Sequence, residues 1–146
     1  MARYSLGERM TSAPTSTLPG MSLYSPAGSG FKLREVWLVN TTSTACQVAL
    51  RRLSTTGTQG AAITESEYDL DAQPVLATAF QSHSVGPTIT AGSLALASLG
   101  AAVGAAVVWS FGDTGIVVAS GTGNGVGILT PTGTGQICDV TFVWDE

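Results

Sequence analysis

Charge is scarce in this chain. Charged residues make up 11% of the sequence, against about 25% in an average soluble domain. The six Lys and Arg residues (Arg3, Arg9, Lys32, Arg34, Arg51, Arg52) all fall within the first 52 positions. None of them forms a basic run, so the chain lacks the electrostatic footprint of a nucleic-acid binder, and no nucleic-acid partner is expected. Histidine occurs once, at His83. A metal site needs three or four ligands, so a lone imidazole reads as structural or surface. Cysteine occurs twice, too rarely for a disulfide scaffold. Cys46 and Cys138 sit on the apolar side of alternating stretches and are expected as buried, inert thiols.

Catalytic motifs are missing too. The glycines of "GTGNGVG" do not have dinucleotide-binding spacing, and "GSGFK" does not have the spacing of a phosphate loop. No nucleophile elbow occurs. The sequence therefore offers no catalytic, cofactor-binding or metal-ligating residue, and a protein that is not an enzyme is expected. Its opening, "MARYSLGERMTSAPTSTLPG", contains no continuous apolar core of the kind a secretory leader needs.

What is present begins with "GSLALASLGAAVGAAVVWSFG", from Gly92 to Gly112, which carries no charged side chain. It is long enough for a membrane helix and includes the small-residue spacing Gly100-x-x-x-Gly104. Against a membrane role stand its high Ala and Gly content, the lack of flanking Lys or Arg, and an alternation in its second half. Val103, Ala105, Val107, Trp109 and Phe111 share one parity, which suits a strand buried against a second sheet. The stretch is read as sandwich interior, with no membrane partner.

Elsewhere, short alternating runs separated by Thr/Gly turns recur. "FKLREVWLVN" and "ACQVALRRL" read as strands joined in a hairpin by "TTST". "IVVAS", "VGILT" and "QICDVTFVWDE" follow as further strands, with Cys138, Val140, Phe142 and Trp144 on one face. "VLATAFQSHS" fits either a strand or a helical turn. Such spacing predicts an all-β fold, an antiparallel β-sandwich of jelly-roll-like form. Residues 1–30, rich in Ser, Thr, Pro and Gly, read as an extended N-terminal arm or loop with a short strand at Arg3 to Leu6, lying either free or along a neighbouring subunit. Residues 31–146 read as a single sandwich domain. Within it Glu65, Glu67, Asp69 and Asp71 share a parity. If extended, they form a carboxylate row, either a cation site or an edge guarded against stray pairing.

The blocks "KLREVWLVNTTSTACQVALRRLSTTGTQGAAITE" and "GTGNGVGILTPTGTGQICDVTFVWDE" resemble small virion proteins of tailed bacteriophages and prophages. The resemblance extends from about Lys32 onward and is closest to head decoration (cement) proteins, which are often trimeric β-sandwiches. It implies a structural protein assembled into the virion in the host cytoplasm. The implied partners are the major capsid protein and further copies of the chain, in a homotrimer. Tail, connector and receptor-binding fibre roles are the alternative. No catalytic residue is carried over.

Overall fold

The computed structural model describes all residues, Met1–Glu146, as strands and connections without a helix. In chain order the strands are β1 (Arg3–Arg9), β2 (Met21–Tyr24), β3 (Phe31–Asn40), β4 (Cys46–Leu53), β5 (Thr58–Gln59), β6 (Ala62–Ile63) and β7 (Ser66–Glu67). They continue as β8 (Thr78–Gln81), β9 (His83–Val85), β10 (Ala95–Leu99), β11 (Ala106–Ser110), β12 (Ile116–Val118), β13 (Gly125–Leu129) and β14 (Cys138–Asp145).

Two antiparallel sheets hold most of them. The first runs β11-β3-β14-β1-β7, with β12 continuing the lane of β11 along the start of β3. The second runs β10-β4-β13-β2-β8-β6, and β5 pairs with β9 apart from both. Strands β1 and β2, β3 and β4, β10 and β11, and β13 and β14 each place one member in each sheet. The four-lane sets β11-β3-β14-β1 and β10-β4-β13-β2 reproduce the strand order of a jelly roll. The all-β sandwich expected from turn spacing is what the chain forms.

The core lies between the sheets. Leu33, Val36, Leu38, Val48, Leu50, Val126, Ile128, Phe142 and Trp144 all belong to it and are fully shielded from solvent. Alternation places Cys138, Val140, Phe142 and Trp144 inward together, as the sequence indicates. Strand β3 departs from simple alternation. Its pairing with β14 skips Arg34, because Trp144 faces Leu33 while Val143 faces Glu35. This bulge flips the parity, so Phe31 and Leu33 point inward before it, and Val36 and Leu38 after it. Trp37 is thereby turned outward and is 47% exposed.

Two expectations need correction. First, β3 and β4 form no hairpin: β3 pairs with β14, β11 and β12, whereas β4 pairs with β10 and β13. Residues 41–45 carry the chain from one sheet to the other. Both strands have an apolar face, and facing each other across a core buries both at once. Second, residues 1–30 are not an arm apart from the sandwich: the strand expected at Arg3 to Leu6 is present, runs on to Arg9, and belongs with β2 to the body of the same chain. Strand β1 pairs with β14 from Arg3↔Asp145 to Arg9↔Asp139 and directs Tyr4 and Leu6 into the core. Strand β2 lies between β13 and β8 and is buried at every position. The Ser/Thr/Pro-rich residues between them cross the outside of the second sheet. There the Pro14 carbonyl accepts from Gly135 N at 2.7 Å and the Thr15 carbonyl from Thr130 N at 3.2 Å. Composition marked this segment as irregular, and it is, but docking satisfies its backbone.

Candidate functional site: the uncharged sandwich edge

The sandwich has two lateral edges, and they differ in chemistry. The residues between β4 and β10 build one of them, where β7 extends the first sheet beyond β1 and β6 extends the second beyond β8. Both strands are two residues long, and the chain around them holds Glu65, Glu67, Asp69 and Asp71. Short strands and like charge are the usual protection of an edge. The opposite edge is built by β10 in the second sheet and β11 in the first, each five residues long. Both belong to the uncharged Gly92–Gly112 stretch. Neither β10 nor β11 carries a charged side chain or a proline.

Its side chains alternate. Ala105, Val107, Trp109 and Phe111 turn toward the core and are partly buried. Leu96 is 55%, Val108 54% and Val103 72% exposed. Val103 therefore corrects the sequence expectation: it lies in the turn between β10 and β11, not in a strand. The stretch is strand-forming as expected, but it makes the rim of the sandwich and not its centre. Outward-facing Trp37 lies opposite Val108 in the ladder, its indole N–H donating to Glu35 Oε2 at 2.8 Å.

Asn40 fixes this rim to the body. It is fully buried, and its Nδ2 donates to the Thr44 carbonyl at 2.8 Å and to the Gly100 carbonyl at 3.0 Å. Its own backbone N–H donates to the Ala105 carbonyl, and its carbonyl accepts from Gly104 N, both at 2.8 Å. One residue of β3 thus holds both ends of the β10–β11 turn. The turn itself needs Gly104, whose φ of +92° an L side chain rarely adopts.

The chemistry-bearing residues lie elsewhere. His83 is buried in β9, with Nε2 at 2.8 Å from Ser22 Oγ. Burial lowers the imidazole pKa below its ordinary 6.5, offset only in part by the Thr56 backbone. Nδ1 makes no well-formed hydrogen bond. A Ser–His contact resembles an activated nucleophile, but no acid orients this histidine and Ser22 is fully buried without a cleft reaching it. The arrangement ties β2 to the β5–β9 pair. Nothing in the sequence announces it, because the partners are 61 positions apart.

The carboxylate row is not a row in space. Glu65 Oε1 accepts the Ala79 backbone N–H at 3.0 Å, and burial raises its pKa. Glu67 lies in β7 opposite Tyr4, and Asp69 and Asp71 lie in a turn where Asp69 Oδ1 accepts from Asp71 N. No three His, Cys, Asp or Glu side chains converge anywhere in the molecule. The carboxylate that sequence reasoning missed is Asp145, buried in β14. It accepts from Arg3 Nε at 2.8 Å and from Arg34 Nε at 2.7 Å. Burial alone would raise its pKa, but the two guanidinium hydrogen bonds outweigh burial and hold it below 3.8. Cys138 is buried as expected, whereas Cys46 is only half-buried and lines an open cleft of about 310 Å³ with Thr130, Thr132 and Thr134.

No helix of the structure is long and apolar enough to cross a membrane. Comparison of the chain with protein-family models, with curated proteins and with solved structures gives no match.

Proposed function

We propose that this chain is a non-enzymatic structural protein of a tailed-phage virion, a head decoration protein. It binds the major capsid protein on the outer head surface and associates with copies of itself as a homotrimer. The observation that carries this reading is the contrast between the two edges. One is short and acidic, and the other is long, uncharged and rimmed by exposed Leu96, Val103, Val108 and Trp37. Each aliphatic side chain fully removed from water contributes roughly 2 kcal/mol, and association must first offset several kcal/mol of lost freedom. A protein present in many copies on a shell gains from this at every contact.

A second reading, a tail, connector or receptor-binding component, draws on a different surface. Tyr68 and Leu70 project from the acidic turn after β7 and are 60% and 94% exposed. An aromatic and an aliphatic side chain held out on a loop suit recognition of a host surface better than shell cementing.

Copy number separates the two. Quantitative mass spectrometry of purified particles carrying this chain is expected to give hundreds of copies per particle. Six or twelve would move the protein to the tail or connector, and none would remove it from the virion. In a binding assay with shells stripped of the protein, Leu96→Lys and Val108→Lys are each expected to weaken attachment by about tenfold or more. Tyr68→Ala is expected to leave it unchanged.

A further inference from the structure

The two cysteines, expected as inert fillers far apart in sequence, are brought to the same end of the sandwich on opposite sheets. Cys138 begins β14 and lies opposite Asn40 in the ladder. The Asn40 amide holds the Thr44 and Gly100 carbonyls. Cys46 is two residues beyond Thr44 and pairs with Leu99, the residue before Gly100. The same clamp therefore sets the start of β4 at the level of Cys138. Both side chains pack on the one core cluster between the sheets, where the Cys138 thiol donates to the Gln136 carbonyl at 3.6 Å. We propose that Cys46 and Cys138 are a dithiol site that closes to an inter-sheet disulfide when the protein meets a small-molecule disulfide such as glutathione disulfide.

Access decides the order of events. Cys46 is half-buried and lines the open cleft beside Thr130, Thr132 and Thr134, whereas Cys138 is fully buried. The Cys46 thiolate attacks one sulfur of glutathione disulfide, forming a mixed disulfide and expelling one glutathione thiolate, which takes up the proton Cys46 gave up. The Cys138 sulfur then attacks Cys46 and expels the second glutathione, and its own proton passes to that leaving thiolate. One disulfide and two protein thiols become one protein disulfide and two glutathione thiols, so electrons and protons balance. The second step is the slow one, because burial and the neighbouring Cys46 push the Cys138 thiol up to about 12, and a thiol that stays protonated is a poor nucleophile. The glutathione-reduced cytosol keeps the pair open, and an oxidising exterior closes it. Closure joins the two sheets and ties down the Asn40-held rim. It stands independently of any virion role.

The test is oxidation of the folded full-length protein by excess glutathione disulfide at mildly alkaline pH. Samples are denatured, alkylated and mapped by mass spectrometry. Wild type is expected to lose both alkylatable thiols as a monomer, to yield one cross-linked peptide pair containing Cys46 and Cys138, and to melt about 10 °C higher, as a bond closing so long a loop should produce. Cys46→Ala is expected to keep its remaining thiol and its melting temperature. The site is disproved if folded wild type stalls as a glutathione adduct at Cys46. It is equally disproved if Cys46 links chain to chain, or if both thiols survive conditions that oxidise the urea-unfolded chain. The wild-type peptide map alone reads all of these outcomes, so a variant that fails to fold does not blunt the test.

Discussion

At the scale of single residues, two buried ionisable side chains, His83 and Asp145, each make stability depend on pH. His83 is buried at 5% exposure, and its folded pKa lies below the unfolded 6.5. The unfolded chain therefore binds the proton more readily. Stability from this site is complete above about pH 6.5 and declines as pH falls below it, levelling off only beneath the folded value. Urea unfolding between about pH 5 and 7 is expected to show this slope, and His83→Gln is expected to flatten it. Asp145 acts in the same direction at lower pH. Its folded pKa lies below 3.8, so its contribution is full above that value and is lost as acid protonates it. Asp145→Asn leaves Arg34, whose side chain is 16% exposed, without its carboxylate. The expected cost at neutral pH is about 2 kcal/mol, less than a fully buried pair would give because Arg3 is half in water.

At the scale of elements, the β10–β11 rim and the acidic edge differ in how well sequence revealed them. The alternation of Val107, Trp109 and Phe111 identified a strand correctly, because a period of two survives wherever one face meets a core. It could not say that β11 is an edge strand, since edge position depends on which strands lie alongside. The bulge at Arg34 was equally hidden, and it decides that Trp37 faces solvent. Asn40 read as the end of a strand, yet it is the clamp of the rim. Asn40→Ala orphans the Thr44 and Gly100 carbonyls it now satisfies and is expected to cost about 2 kcal/mol in denaturant unfolding. Leu96→Lys, by contrast, changes an exposed position. It is expected to leave stability within about 0.5 kcal/mol and to suppress self-association in analytical ultracentrifugation.

At the scale of the whole molecule, the jelly-roll order makes the N-terminal strand a structural member. Strand β1 pairs with β14 along its whole length and is locked by Arg3–Asp145 and Arg9–Asp139 at its two ends. Deleting Met1–Met10 strips β14 of a neighbour and removes Tyr4, Leu6 and Met10 from the core. Such a chain is expected to lose its cooperative thermal transition, whereas a free arm could be cut without effect. The sequence by itself determined the all-β class, the faces of β4 and β14, and the apolar character of the Gly92–Gly112 stretch, because each follows from local alternation and turn residues. Only the tertiary structure decided which strands cross between sheets, which strands form the edges, that His83 meets Ser22 and Asp145 meets two arginines, and that Cys46 and Cys138 pack on one core cluster. These pairings join residues far apart along the chain, and their geometry is set by the packing of two sheets on one core, a property no short window of sequence contains.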